Sequence, residues 1–147
     1  MREFFRVLLL ILLVIASAFA QGVGLSVFGI RLNLVLVVII FIALKEDVLI
    51  SILAAVCAVF VLKPGPAIDL PITLLGISGP FTSITRRFLP WQEPVVYLAL
   101  IVFMTFVLYF ASSIDLLLSM VFLREVLANI VTGVVFFAIF SGAWHNA

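Results

Sequence analysis

Long apolar runs that carry no charge dominate this sequence, and few folds can accommodate them. One run, VLLLILLVIASAFA, covers residues 7–20, and four more follow at 32–44, 48–62, 94–111 and 126–141. The chain is 67% apolar and 10% charged, whereas a soluble globular domain is about 45–50% apolar and about 25% charged. The sequence therefore predicts an all-α integral membrane protein, a polytopic helical bundle that forms a single transmembrane domain over residues 1–147.

The runs predict about six transmembrane helices, the first of them beginning near Arg6. Five spans are assigned to the uncharged runs, and a sixth candidate, AIDLPITLLGISGPFTSI, lies at 67–84. Because this candidate contains two prolines and two glycines, it is a full span, a broken helix or a re-entrant segment. The run at 48–62 would measure about 22 Å as a helix, less than the roughly 30 Å of a hydrocarbon core.

The first run also has the pattern of a secretory signal peptide. MREFFR supplies a basic start, an apolar stretch follows, and AFA before Gln21 resembles a cleavage site. However, the run from Phe4 to Ala20 reaches the lower limit of length for a spanning helix. We therefore favour its retention as the first transmembrane helix, with cleavage as the open alternative.

The basic residues favour an even number of crossings. In membrane proteins, Lys and Arg are enriched in the loops on the cytoplasmic side. With a cytoplasmic amino terminus and six crossings, three of the eight basic residues face outward, and five face the cytoplasm: Arg2, Arg6, Lys45, Arg86 and Arg87. Five crossings would place Arg86 and Arg87 outside. We predict six crossings with both termini cytoplasmic, and a helix at the outer interface between the last two spans.

Few residues in the sequence can support bond-making chemistry. There is one cysteine, Cys57, and one histidine, His145, and the sequence contains no glycine-rich phosphate-binding loop of the P-loop pattern. The formal charge of +1 offers no basic patch for a nucleic acid. The sequence therefore predicts a protein that is not an enzyme and that uses no metal or other cofactor.

Polar residues near the membrane ends of two spans are the candidate functional residues. In the last span, four polar or small residues share one helix face because they are spaced at i, i+4, i+7 and i+8: Glu125, Asn129, Thr132 and Gly133. Arg31 and Asn33 open the second span on the same side of the membrane. A polar and small face lets another helix approach closely and share hydrogen bonds. We predict that these residues pack helices together or bind a partner.

Three segments of the chain resemble the bacterial rod-shape-determining protein MreD family. They are FGIRLN at 28–33, the paired Arg86-Arg87 before FLPWQEPVVYLAL, and LREVLANIVTGVVFF at 123–137. The resemblance implies a non-enzymatic scaffold of the cell-elongation machinery in the bacterial inner membrane. It also implies a single-span partner of the MreC type and a link to the glycosyltransferase and transpeptidase that build peptidoglycan.

A second class of protein remains open. Substrate-binding subunits of vitamin transporters of the energy-coupling-factor type are also small bundles of about six helices, and the MreD family resembles them in fold. A binding pocket needs several polar or aromatic groups that converge on it. The sequence shows few such groups, so it favours the scaffold.

Overall fold

The computed structural model describes residues 2–24, 26–27, 29–63 and 69–145. These residues form seven helices and one two-stranded ribbon. The elements, in chain order, are α1 (Arg2–Gly22), β1 (Ser26–Val27), β2 (Ile30–Arg31), α2 (Leu34–Lys45), α3 (Val48–Leu62), α4 (Leu70–Thr85), α5 (Glu93–Ser112), α6 (Ile114–Leu117) and α7 (Met120–His145).

Three of the helices in the described residues are long and apolar enough to cross a membrane. They are α1 from Phe4 to Gly22, α5 over its whole length, and α7 from Met120 to Gly142. The other apolar helices are shorter, with 12 residues in α2, 15 in α3 and 16 in α4. The helical class and the presence of membrane-length helices agree with the expectation from the sequence.

The short helix α2 lies at the centre of the bundle. Its sequence, LVLVVIIFIALK, is apolar on every face, which is the pattern of a helix surrounded by other helices. Every residue from Val35 to Leu44 is buried, and α2 packs against α1, α3, α4, α5 and α7. The bundle therefore consists of one core helix and five helices around it.

Small residues bring α3 and α4 close together beside α2. A methyl group added at Gly79 would lie 2.9 Å from the backbone oxygen of Ser51, so only glycine fits at this crossing. Next to it, the hydroxyls of Ser51 and Ser83 are 3.0 Å apart, and Ser83 donates a hydrogen bond to the Ala43 carbonyl at 3.0 Å. These bonds join all three helices inside the bundle.

Polar contacts define two ends of the bundle. We call one the Glu46 end, where Arg6 and Glu46 approach to 3.0 Å and Lys45 and Glu93 to 2.8 Å. We call the other the Gln21 end, where Gln21 at the close of α1 bonds the start of α2 at Val35. The six longer helices alternate in direction between these two ends.

The segment at 70–85 is a continuous helix, so the broken-helix alternative is wrong for these residues. Pro71 lies in the first turn, where a backbone N–H has no partner within the helix. Pro80 lies inside the helix, whose neighbouring residues Ser78, Gly79 and Thr82 are buried against the bundle. Residues 64–68, which the predicted span also touched, lie outside the described residues.

Two further features differ from the sequence-based expectation. Helix α7 begins at Met120 rather than near residue 126, so the predicted interfacial helix is reduced to the single turn α6. After α1, the strand Ser26–Val27 pairs with Ile30–Arg31, an element that the apolar runs did not predict. Gly29, between the two strands, and Gly24, between α1 and β1, have φ values of 77° and 80°, a left-handed conformation that glycine adopts readily.

Candidate functional site

Asn129 is the centre of a hydrogen-bond network at the Gln21 end. Its side chain is fully buried. Its Oδ1 accepts a hydrogen bond from the backbone N–H of Asn33 at 3.1 Å, and its Nδ2 donates to Thr105 Oγ1 at 3.2 Å. The amide therefore joins α7 to α5 and to the start of α2, inside the bundle and away from lipid.

Two other amide side chains cap the core helix at the same end. Asn33 is the N-cap residue of α2, and its Oδ1 accepts from the N–H of Leu36 at 3.3 Å. Gln21 Oε1 accepts from the N–H of Val35 at 3.0 Å. Because the first N–H groups of a helix have no partner within it, these two oxygens satisfy donors that would otherwise be buried unpaired.

The remaining residues of the predicted stripe on α7 have different surroundings. Tyr109 donates a hydrogen bond from its hydroxyl to Glu125 Oε2. A methyl group at Gly133 would lie 2.6 Å from Ile101 Cδ1, so α5 and α7 cross closely there. Thr132 is half-buried and donates a hydrogen bond to the Ala128 carbonyl of its own helix at 2.7 Å. This bond therefore does not connect α7 to another helix.

For Arg31, the structure describes the backbone alone. This residue lies in β2, which contacts α7, and its side chain lies outside the described part of the structure. The structure therefore brings Asn33 and Asn129 into direct contact and places Glu125 one turn away from Asn129 on the same helix. Asn33 and Asn129 come from segments 96 residues apart.

A cleft of about 520 Å³ opens at the Gln21 end. It is bounded by the ends of the helices that surround α2, and the first turn of α2 contributes to its floor through Asn33. Its polar lining consists of Gln21, Asn33, Tyr109, Ser112 and Glu125, and apolar side chains such as Leu75 and Leu108 line the rest.

Sequence reasoning missed Gln21, Tyr109 and Ser112 as parts of this site. Gln21 directly follows the first apolar run, and it was considered only as the residue after a cleavage site. Tyr109 lies near the end of the span at 94–111 and Ser112 directly follows it, where a tyrosine is an ordinary interface residue. Only the packing of α1, α5 and α7 around α2 shows that these side chains converge.

The opposite end of the bundle carries ion pairs instead of amides. Glu46 is buried and pairs with the half-exposed Arg6. Arg86 donates a hydrogen bond to the Leu44 carbonyl, at the last turn of α2. Burial raises the pKa of the Glu46 carboxyl, and the Arg6 guanidinium opposes this rise without cancelling it.

Comparison with protein-family models, with curated proteins and with solved structures finds no match to this chain. The likeness to the MreD family therefore depends on the three sequence segments alone. Within the described residues, no group of three or more His, Cys, Asp or Glu side chains is placed to hold a metal ion. The site offers amide, hydroxyl and carboxylate groups around an apolar cleft.

Proposed function

We propose that this chain is a non-enzymatic scaffold subunit of the bacterial cell-elongation machinery, embedded in the inner membrane. One observation carries the proposal beyond the sequence likeness. Two of the three segments that resemble the MreD family, 28–33 and 123–137, meet through the hydrogen bond between Asn33 and Asn129. Two of the three segments thus meet at one corner of the fold, and the third begins with Arg86 and Arg87 at the Glu46 end.

The proposal includes six crossings with both termini in the cytoplasm. The alternating direction of the six longer helices supports this topology. So does the charge distribution, because Arg6, Lys45, Arg86 and Arg87 lie at the Glu46 end, as expected for the cytoplasmic side.

The topology is tested by cysteine labelling in intact cells after Cys57 has been replaced. A cysteine at Ser26 should react with a membrane-impermeant reagent, and a cysteine at Arg87 should react only after the cells are opened. Labelling of the Arg87 position in intact cells would contradict six crossings with a cytoplasmic amino terminus.

The proposed partner is an MreC-like single-span protein, through which the chain would be linked to the peptidoglycan glycosyltransferase and transpeptidase. Co-purification in mild detergent with the host's MreC homologue tests this proposal, with an unrelated single-span protein as the control. We expect the homologue to be retained and the control to be lost. Stable binding of an ATPase-coupled module, or of a vitamin at nanomolar affinity, would replace the scaffold with the transporter subunit.

A further inference from the structure

A small pocket of about 290 Å³ lies at the Glu46 end of the bundle, between the last turn of α2 and the connection from α4 to α5. Two consecutive arginines, Arg86 and Arg87, line it together with Trp91 from the same connection. Its apolar lining consists of Leu44, Leu89 and Val96. We call it the Arg86 pocket, and it lies at the opposite end of the bundle from the cleft that Gln21 lines.

One of the two guanidinium groups is held in place by the core helix. Arg86 is half-buried, and its Nη1 donates a hydrogen bond to the Leu44 carbonyl in the last turn of α2. A guanidinium has five N–H donors in one plane, so this bond leaves others that suit the oxygen atoms of a phosphate. The positive-inside rule accounts for basic residues at this end of the bundle, but it does not require this fixed position.

The acidic residues near the pocket have other cations as partners. Glu93, which also lines the pocket, accepts a hydrogen bond from Lys45 at 2.8 Å. Glu46 is close enough for its carboxyl to respond to the charge of Arg86, but its ion pair is with Arg6. Within the described residues, no carboxylate forms an ion pair with either arginine of the pocket. The lining therefore has an excess of positive charge that suits an anion.

The surroundings of the pocket favour a lipid over a soluble anion. Phe88, Trp91 and Val95 flank the pocket in the chain, and each is more than half exposed. In a bundle that spans a membrane, such apolar side chains face acyl chains, and a tryptophan beside basic residues is typical of the interface where headgroups lie. Basic pockets between helices at this level bind acidic headgroups. A ligand in the Arg86 pocket thus meets positive charge and hydrocarbon side by side.

We propose that the Arg86 pocket binds the phosphate of an anionic phospholipid, whose acyl chains lie along the exposed residues Phe88 and Val95. The guanidinium groups of Arg86 and Arg87 donate hydrogen bonds to the phosphate oxygens. A zwitterionic headgroup fits less well, because its ammonium group brings a positive charge close to the two arginines. The site does not depend on the scaffold function, because it requires neither a protein partner nor a role in cell-wall synthesis.

The test uses the purified full chain and two lipids with the same acyl chains. Native mass spectrometry compares phosphatidylglycerol, which has a net negative charge, with phosphatidylcholine, which keeps the phosphate and adds a positive charge. We expect phosphatidylglycerol to bind about tenfold more tightly, the ratio that corresponds to about 1.4 kcal/mol. Glycerol phosphate, which has the phosphate but no acyl chains, should not displace the bound lipid at equal concentration.

Three variants then assign the binding to the pocket. Arg87→Gln removes the charge of an exposed residue and should weaken phosphatidylglycerol binding about fivefold, the ratio for about 1 kcal/mol per basic residue at an anionic surface. Arg86→Lys keeps the charge and loses the planar group that bonds the Leu44 carbonyl and the phosphate together, so it should also weaken binding. Arg124→Gln, at an exposed arginine of the Gln21 end, makes the same change as Arg87→Gln and should leave binding unchanged.

The outcomes separate a site from general attraction by charge. A preference for phosphatidylglycerol that Arg87→Gln reduces and Arg124→Gln leaves intact supports the pocket. Equal binding of the two lipids overturns the proposal, and this comparison needs only the wild-type chain. A preference that Arg87→Gln and Arg124→Gln reduce equally also overturns it, because the net charge of the chain would then be the cause. Displacement of the lipid by glycerol phosphate at equal concentration would overturn the assignment to a lipid, because the pocket would then take a soluble phosphate.

Discussion

The helices α2 and α7 are buried in opposite ways. Every residue of α2 from Val35 to Leu44 is buried, and all of them are apolar. In α7 only 11% of the most apolar stretch is buried, and the fully buried side chain there is the polar Asn129. Large apolar residues of α7, such as Val131 and Ile139, are more than half exposed.

This contrast shows what selects the buried face of a helix in an apolar surrounding. In water, apolar side chains are driven inward, but lipid tails solvate them as well as a protein core does. An apolar residue can therefore lie inside, as in α2, or outside, as in α7. A polar or very small residue has a strong preference for the interior, where a hydrogen-bond partner or a close helix crossing is available.

The largest expected loss of stability is that of Phe41→Ala, which removes packing around α2. The ring of Phe41 is fully buried and contacts Tyr97 and Phe136 edge to face. In water-soluble cores Phe→Ala costs about 3–5 kcal/mol, but here the transfer term is small because unfolded α2 would meet lipid. We expect a cost of about 2–3 kcal/mol, from the cavity and the lost contacts, measured by reversible unfolding in mixed micelles.

Phe60→Ala is the matched control for this prediction. Phe60 lies on α3 and is 69% exposed, so its ring faces the surrounding lipid or detergent. We expect its removal to change the free energy of unfolding by less than about 0.5 kcal/mol. Equal costs for Phe41→Ala and Phe60→Ala would show that α2 is not the packed core of the bundle.

The next effect in size concerns the crossing of α5 and α7 at Gly133. A methyl group there already meets the flexible end of Ile101, with Tyr97 at 3.5 Å behind it. Gly133→Ala should therefore be tolerated with a small shift of Ile101, whereas Gly133→Leu should cost about 1–3 kcal/mol by overpacking. The neighbouring Val134 is 49% exposed, and Val134→Leu should be tolerated. Equal tolerance at 133 and 134 in thermal unfolding would contradict this packing.

A smaller effect is expected for the polar network of α7. Asn129→Ala removes the acceptor of the Asn33 N–H and the donor to Thr105. Hydrogen bonds between membrane helices contribute about 0.6 kcal/mol on average and at most about 1.7 kcal/mol, so we expect a loss within that range. Asn129→Leu should cost more, because the larger apolar side chain also has to fit the buried site. The free energies of unfolding of the two variants test this order, and no loss in either would contradict it.

The smallest change in the free energy of unfolding is expected for Glu46→Gln, at the Glu46 end. The pKa of the Glu46 carboxyl is raised in the folded chain, chiefly by burial, so folding favours its protonated form. Wild-type stability is then highest below the pKa of the unfolded chain and falls as pH rises through the folded pKa. Glu46→Gln should flatten this dependence in the pH range above the ordinary carboxyl pKa of about 4.3. It should also change stability at neutral pH by less than about 1 kcal/mol, because Arg6 is partly exposed.

Asp115→Asn is the control for the pH dependence. Asp115 is exposed on α6, in the loop that joins the Gln21 ends of α5 and α7, remote from Glu46. Thermal unfolding across the same pH range should show the wild-type slope in Asp115→Asn and a smaller slope in Glu46→Gln. An unchanged slope in Glu46→Gln would show that the burial of this carboxyl does not govern the titration.

The positions of the helices were largely predictable from the sequence. The span at 48–62 agrees with α3 at both ends, because a charged turn precedes it and Lys63 follows it. The sequence leaves the conformation of 70–85 open, because proline and glycine commonly interrupt helices. Their effect depends on the neighbours: Pro71 falls in the first turn, and Gly79 fits the close crossing at Ser51.

The arrangement of the helices and the cleft could not be predicted in the same way. Hydropathy is uniform along α2, so periodicity gives no sign that α2 rather than α5 is central. The polar stripe on α7 was visible from spacing, and the structure places Asn129 and Gly133 toward the bundle. Its partners Asn33 and Thr105 lie 96 and 24 residues away, and their pairing depends on tertiary packing alone.

The shortness of α2 also bears on how the chain enters a bilayer during synthesis. A helix of 12 residues is about 18 Å long, too short to stay across a hydrocarbon core of roughly 30 Å by itself. Only Glu46 and Asp47 separate it from α3, so the two helices have to enter together as one hairpin. At that stage α2 still faces lipid on the sides that α5 and α7 later cover. The helix at the centre of the finished bundle is thus solvated by lipid at first. The last helices to be made, α5 and α7, then shield it from lipid.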